Sequence, residues 1–279
     1  MLARLLASTR DLESGDHFSL SVLVVDNDAA ASAWAAVDEV SRHLALPVQY
    51  LVEPEQSIAR ARNSAVENAK SNLIAFIDDD EWPEPDWLVS AFQTMEKYFA
   101  DGVLGPVRPE YEGTPPKWVL RGKFYDRQRH QTGTVLSWQQ TRTGNALLRR
   151  ELFASTDNLF RHQFGRGGED RDLFRRLISQ GYKFVWCDEA VVHESIPAAR
   201  YSRWFMLRRA LVRGTLPHFG FVDYCKSIVA IPLYTLLLPV FLVTAHHLFM
   251  SYLIKIFDHS GRLLSLVGLD LVKEKYLTG

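Results

Sequence analysis

The chain has 279 residues, of which 47% are hydrophobic and 23% charged, and its formal net charge is −1 at pH 7. That length and composition suit one large α/β domain, or one domain with a tail, and exclude a disordered chain. The near-zero charge excludes a general nucleic-acid binder, and two cysteines, Cys187 and Cys225, are too few for a disulfide framework and fit a reducing cytosolic setting.

Residues 2–13 read as a short amphipathic helix, with neither the apolar core nor the small-residue cleavage site of a signal peptide. An apolar run over 20–25 stops at Asp26, Asn27 and Asp28, as a buried strand followed by a turn does. An Ala-rich helix is expected over 29–44, a strand over 48–52, and a helix over 57–71 with Ser57 as its N-cap. The apolar stretch 73–77 reads as a third strand and runs into Asp78, Asp79 and Asp80. A helix over 85–99 follows, with Trp87, Leu88, Ala91, Phe92, Met95 and Phe99 on one face. Strand and helix alternate throughout, which is the βαβ pattern of a parallel sheet covered by helices.

Residues 100–140 are dense in Gly, Pro, Trp and Tyr and read as an excursion from the sheet that shapes a pocket. Regular structure resumes near Gly144, a helix is expected over 170–180 with Gly181 as its C-cap, and a strand over 182–187 precedes an extended piece over 190–193. A basic helix is expected from about residue 200.

Three adjacent carboxylates repel one another and add nothing to packing. Ligands of open α/β sheets gather at the carboxyl ends of the strands, where Asp78–Asp80 fall. Mg²⁺ or Mn²⁺ takes one or two carboxylates together with substrate phosphate oxygens. A solvated loop or a helix N-cap would also accommodate such a triplet, so the triplet alone leaves both readings open. In Gly167-Gly168-Glu169-Asp170, acids at the start of a helix are favoured by its dipole whether or not they do chemistry. The two glycines let backbone approach a ligand closely.

Four stretches, in this order and spacing, resemble the family 2 glycosyltransferases. They are Val24–Asp28, Ile58–Asn63, Asp78–Asp80 and Gly167–Asp170, and the resemblance runs over roughly residues 20–215. It implies a GT-A-like α/β fold with a mostly parallel central sheet and flanking helices, and a nucleotide-sugar donor. It implies Asp26 at the nucleobase, Arg60, Arg62 and Asn63 beside the nucleotide, Asp78 near the ribose, Asp79 on the donor side, and Asp80 on a Mg²⁺ or Mn²⁺ ion. A cation there would stabilise the charge of a departing diphosphate. Asp170 is the expected catalytic base of an inverting transfer, with Glu169 orienting the acceptor or Asp170 itself. In a subset of GT-A enzymes a His at the place of His193 completes the metal shell. Trp82, Trp118 and Trp138 are candidates to stack on a sugar, although core or loop packing is the favoured account of each.

Family members usually open with a strand of the Ile-Pro-Thr-Tyr-Asn type followed by a helix. Here the opening residues read as that helix already under way. The expectation is therefore a missing first strand, through a misassigned start or, failing that, a truncated form.

Residues 227–254 contain no Asp, Glu, Lys or Arg, and residues 195–221 contain five arginines and no acid. A basic segment before a long apolar one marks a membrane-facing element. Residues 1–215 are thus expected to form the glycosyltransferase domain, and 216–279 a helical, membrane-associated tail engaging the membrane through 227–254 on its cytoplasmic face. Pro232, Pro239, His246 and His247 argue against a simple straight span, and a re-entrant hairpin or a buried helix pair are the alternatives. The arginines also suit a lipid diphosphate carrier. The expected activity is hexosyl transfer to a hydroxyl of a saccharide or lipid-linked acceptor in surface or exopolysaccharide synthesis. The alternatives are a nucleotidyltransferase of similar topology, whose Gly-rich basic phosphate loop this sequence lacks, and an inactive membrane-attached homologue.

Overall fold

The computed structural model describes residues 1–155, 159–164, 168–215 and 220–267. They fall into two compact units, one from residues 1–109 and 127–195, the other from residues 110–126 and 196–279. The first unit holds α1 (Leu2–Ser8), β1 (Val22–Asp26), α2 (Trp34–Ser41), β2 (Val48–Val52), α3 (Ile58–Asn68), β3 (Leu73–Ile77), β4 (Glu81–Pro83), α4 (Trp87–Tyr98) and β5 (Gly102–Leu104). The chain leaves this unit along β6 (Val107–Tyr111) and, after α5 (Lys117–Gly122), returns to form β7 (Asn145–Arg149), α6 (Glu169–Ser179), β8 (Phe184–Trp186) and β9 (Val192–Ile196). The second unit continues with α7 (Arg203–Gly214), α8 (Phe221–Thr244) and α9 (His246–Leu266).

Among the described residues helices accompany three sheets, as in an α/β chain. β1 and β2 pair in parallel, with Val22 opposite Val48. The central sheet runs β3-β7-β5-β8. Its ladders are mixed: β5 and β8 are parallel, while β7 lies antiparallel to both β3 and β5. β7 arrives after a long irregular stretch rather than a crossover helix, which is the connection a parallel partner needs. A third sheet, β4-β9-β6, sets Glu81 opposite Glu194 and Trp82 opposite His193.

Apolar periodicity explains the core. In β3, Ile74 and Phe76 are buried, and Phe76 meets Phe160 edge-on at a centroid distance of 5.9 Å. Leu173, Phe174 and Leu177 form the buried stripe of α6 against this layer. Trp87, Leu88, Ala91 and Met95 bury the stripe of α4. Phe99 departs from the face expected of it. The helix ends at Tyr98, and Phe99 takes a left-handed C-cap conformation (φ 49°) that leaves its ring 88% exposed. Ser57 precedes α3 but its side chain makes no capping hydrogen bond, whereas Gly181, with φ +96°, follows α6 as expected of a C-cap glycine. Ala29 to Ala33 form turns, not helix, and Ala31 has positive φ.

Asn145 locks the start of β7. Its amide donates to the carbonyls of Pro106 (3.0 Å) and Ala190 (2.8 Å) and accepts from the Trp87 indole (2.8 Å). The backbone comes so close here that a Cβ at Gly105 would lie 2.1 Å from the Ala190 oxygen.

In the second unit Val119, Tyr125, Ile196, Tyr201 and Met206 form the core. α7 and α9 touch backbone to backbone: a Cβ on Gly214 would sit 2.2 Å from the Asp258 oxygen, and one on Gly261 2.1 Å from the Leu211 oxygen. The tail is a helix pair broken at Ala245. α8 continues through Pro232 and Pro239, and its partner α9 is joined to it by a 2.9 Å Ser227–His259 hydrogen bond and by Tyr234 and Phe241 against Tyr252. Among the described residues α8 alone is long and apolar enough to cross a membrane.

Candidate active site

Asp26 ends β1 with its carboxylate satisfied from three sides. It accepts from the Tyr50 hydroxyl at 2.6 Å and from the backbone N–H groups of Ala33 and Asp28 at 2.8 and 3.1 Å. Burial and the Asp26 charge push the Tyr50 phenol up to about 12, so Tyr50 stays a proton donor. Trp34 packs on Tyr50 at 5.1 Å. Asn27 ties this strand end to the next segment, donating to Glu53 and Glu55 carbonyls and accepting from Ser57 N–H at 2.7 Å.

The end of β3 is joined to α6 through α3. The Arg62 guanidinium donates to Glu169 Oε1 and lies 3.3 Å from Asp78 Oδ1. Glu169 opens α6 directly after Gly168, whose φ is +93°. Only 3% of Glu169 is exposed, and its Oε2 has no hydrogen-bond partner among the described residues. Its carboxyl is raised to about 7: burial lifts it most, Arg62 opposes this, and the charges of Asp170 and Asp78 add to the rise. Asp170 is less buried and, among the described residues, accepts from the Arg171 N–H at 2.7 Å. Gly167, grouped with these residues on sequence, lies outside the described residues.

A fourth consecutive acid, Glu81, follows the triplet and is 1% exposed. Burial first, then Asp78, holds its carboxyl well above the ordinary range, and Arg127, 3.6 Å away, opposes this. Arg127 also pairs with the buried Glu194 on β9. Gly144 lets these groups meet, because a Cβ there would lie 3.0 Å from Glu81 and 3.1 Å from Asp78. A cavity of about 220 Å³ opens at this point, lined by Arg62, Asp78, Arg127, Arg142, Asp170 and Arg171 among others.

The cavity therefore brings together Arg62, Asp78 and Asp170, with Glu169 behind them on Arg62. Asp79 is exposed; the surrounding protein, then Asp80 and Asp78, raise its pKa. The Asp80 carbonyl accepts from Ser195 N–H at 2.9 Å, joining the triplet to β9. Other expected residues are engaged elsewhere. Arg60 Nε lies 2.8 Å from Glu55 Oε1. Asn63 clamps the Phe160 backbone with two 2.9 Å hydrogen bonds. The His193 ring nitrogen is 2.7 Å from Glu84 Oε1, and its ring stacks on Trp82 at 5.5 Å, with Arg4 on the indole at 3.2 Å. Trp138 lies under Arg175, and Trp118 belongs to α5. Among the described residues no three His, Cys, Asp or Glu side chains form a preassembled metal cage.

Glu81, Arg127, Arg142, Thr143 and Glu194 were not foreseen. The available signal was an acid directly behind the triplet and the polar run Thr141-Arg-Thr-Gly-Asn145 immediately before an apolar strand.

The model of glycosyl transferase family 2 matches residues 1–156, more than half of the chain. The chain belongs to glycosyl transferase family 2. This glycosyltransferase is 36% identical over 217 residues to the succinoglycan biosynthesis protein ExoM of Rhizobium meliloti (strain 1021), across 76% of its own length and 69% of the relative's. It is 21% identical over 192 residues to the glycosyltransferase GlyA of Streptococcus pneumoniae, of which it spans 27%. Among solved structures, S. aureus TarS 1–349 in complex with UDP-GlcNAc superposes with a TM-score of 0.51 at 14% identity, over 98% of this chain and 90% of that one. That likeness carries the GT-A-like fold of this glycosyltransferase.

Proposed function

We propose that this glycosyltransferase moves a hexosyl group from a nucleoside-diphosphate sugar to an acceptor hydroxyl with inversion, in exopolysaccharide synthesis. The observation that carries the reading is the Glu169–Arg62–Asp78 link, which sets the end of β3, the first turn of α6 and Asp170 around one cavity. The names of ExoM and of the TarS complex with UDP-GlcNAc support the polymer class and the donor class.

Asp26, with Tyr50 and Trp34 beside it, offers an acceptor and aromatic faces to a nucleobase. Asp78 serves the ribose, and Asp79, Arg60 and Asn63 support the donor side, Asn63 by clamping Phe160. The donor set at the end of β3 suits a divalent cation. Asp78, Asp79 and Asp80 are adjacent carboxylates, and Asp79 holds its proton more tightly, first through the surrounding protein and then through the charges of Asp80 and Asp78. A cation relieves this, so the set fits Mg²⁺ or Mn²⁺, with Asp80 as the ligand and His193 its further candidate. Such an ion supplies countercharge for the diphosphate leaving group. Asp170 takes the proton from the attacking hydroxyl as the new glycosidic bond forms on the opposite face. Glu169 and Arg62 hold the base's helix against the donor end.

We further propose that 1–215 is the catalytic domain and that 216–279 associates with the cytoplasmic face of a membrane, presenting the active site to a lipid-linked saccharide. In support, Ile228, Val229, Leu236, Val240 and Val243 on α8 are exposed. The test is hydrolysis of UDP-, GDP- and dTDP-sugars by the full chain with and without Mn²⁺. Turnover in at least one series, lost on chelation, supports the reading; absence of nucleotide binding in all three overturns it.

A further inference from the structure

Four arginines line the cavity beside Asp170, against two aspartates. Two of them are paired: Arg62 with Asp78 and Glu169, and Arg127 with Glu81 and Glu194. Among the described residues no ion pair or side-chain hydrogen bond engages Arg142 or Arg171. Arg142 is half-buried, and burial, then the Arg127 charge, press its pKa down while Asp170 pulls it back. A guanidinium held this way carries desolvation cost without a partner. The next residue adds a second orphan. Thr143 is 1% exposed, lines the same cavity, and its hydroxyl has no hydrogen-bond partner among the described residues.

A planar guanidinium and a neighbouring hydroxyl, both unspent, match an anion with several acceptor oxygens. Asp78, on the proposed donor side, lines this cavity too, and it is the neighbourhood of Asp170 that favours an anion of the acceptor. Arg171 directly follows Asp170, and Arg142 faces the same cavity. In an inverting displacement the base sits on the attacking side, and the diphosphate departs from the opposite one. We infer that Arg142, with Arg171 and the Thr143 hydroxyl, forms an anion subsite on the acceptor side of Asp170, so that the acceptor sugar carries a carboxylate or a phosphate. This rests on the proposed sugar transfer and names the chemical class of its acceptor.

The test uses the full chain loaded with UDP and Mn²⁺, titrated calorimetrically with methyl glucoside, methyl glucuronide and methyl glucoside 6-phosphate. At least one anionic glycoside is expected to bind about tenfold or more tightly than the neutral one, the usual worth of a charge-assisted hydrogen bond. Which anion wins separates carboxylate from phosphate. Arg142→Ala is expected to reduce the preference to under about twofold while UDP affinity holds, and Arg142→Lys to restore part of it. Equal binding of all three glycosides to the wild-type chain overturns the inference, as does an Arg142→Ala variant that loses UDP affinity, which would put Arg142 on the donor diphosphate. Failure of the wild-type chain to bind UDP, GDP or dTDP would instead overturn the sugar-transfer reading itself.

Discussion

Arg62 on α3 spans two acids that are far apart in sequence: it donates to Glu169 at the start of α6 and lies 3.3 Å from Asp78 at the end of β3. One cation thereby fixes the distance between the end of β3, proposed to face the donor, and the helix that carries Asp170. Its own charge is reinforced by both acids against the cost of burial. Arg62→Ala would leave Glu169 buried and uncompensated. Breaking one partner of such a pair costs roughly 3 kcal/mol of folding free energy, and misplacing the base is expected to cost about 100-fold in kcat. Arg62→Lys should recover stability more than rate, because an ammonium cannot fork to both acids. Urea unfolding and donor turnover of the two variants check this.

Glu169 gives the site a pH signature. Its carboxyl is raised from 4.5 to about 7 in the folded chain, so the folded state binds the proton more tightly than the unfolded one. The corresponding stability is fully present below pH 4.5 and is lost as pH rises through about 7. The shift caps the effect at roughly 3 kcal/mol. Glu169→Gln fixes the neutral form, so the melting temperature of the wild-type chain should fall relative to the variant between pH 5 and 8. Parallel pH dependence of the two proteins would contradict the assignment.

Asn145 is expected to be a stability residue without being a chemical one. Its amide serves two backbone carbonyls and an indole in a site with no room for water beside Gly105. Asn145→Leu strands those groups and should cost roughly 2–4 kcal/mol. Thermal unfolding would show a lowered midpoint, with nucleotide affinity of the residual folded fraction unchanged.

These contacts mark where sequence patterning stops. β1, β2 and β3 were legible as short, mostly apolar stretches, α3 as a helix entered from Ser57, and α4 from its apolar face, and the acids at the ends of β1 and β3 stood out against the apolar runs. β4 was not, because three residues ending in proline carry no period and become a strand only by pairing with β9. Glu81 went unseen for the same reason. Its significance lies in being 1% exposed, which no local pattern encodes. Arg127 and Arg142 sit in the irregular stretch between α5 and β7, where side-chain direction is set by long-range packing. The antiparallel entry of β7 was likewise invisible, since strand direction is fixed by the path of a long connection that is mostly irregular after α5.

The tail makes a separate prediction. α8 exposes Leu236 (76%) and Val240 (55%) along an apolar helix of 24 residues. An arginine at the centre of a membrane helix costs roughly 2.5–3.5 kcal/mol. Leu236→Arg combined with Val240→Arg should move the full chain from the membrane to the soluble fraction on sedimentation, with nucleotide binding retained. Equal sedimentation of variant and wild type would place α8 in a protein environment.

The central claim is that the acids gathered at the end of β3 and the start of α6 carry sugar transfer, Asp80 through a cation and Asp170 through a proton. The most direct measurement is Mn²⁺-dependent turnover of the nucleotide-sugar series in the wild-type chain, Asp80→Ala and Asp170→Asn. Loss of metal response is expected in Asp80→Ala, and in Asp170→Asn a fall of roughly 100-fold or more in kcat with nucleotide affinity intact. Turnover by both variants at the wild-type rate, with the same response to Mn²⁺, would contradict it.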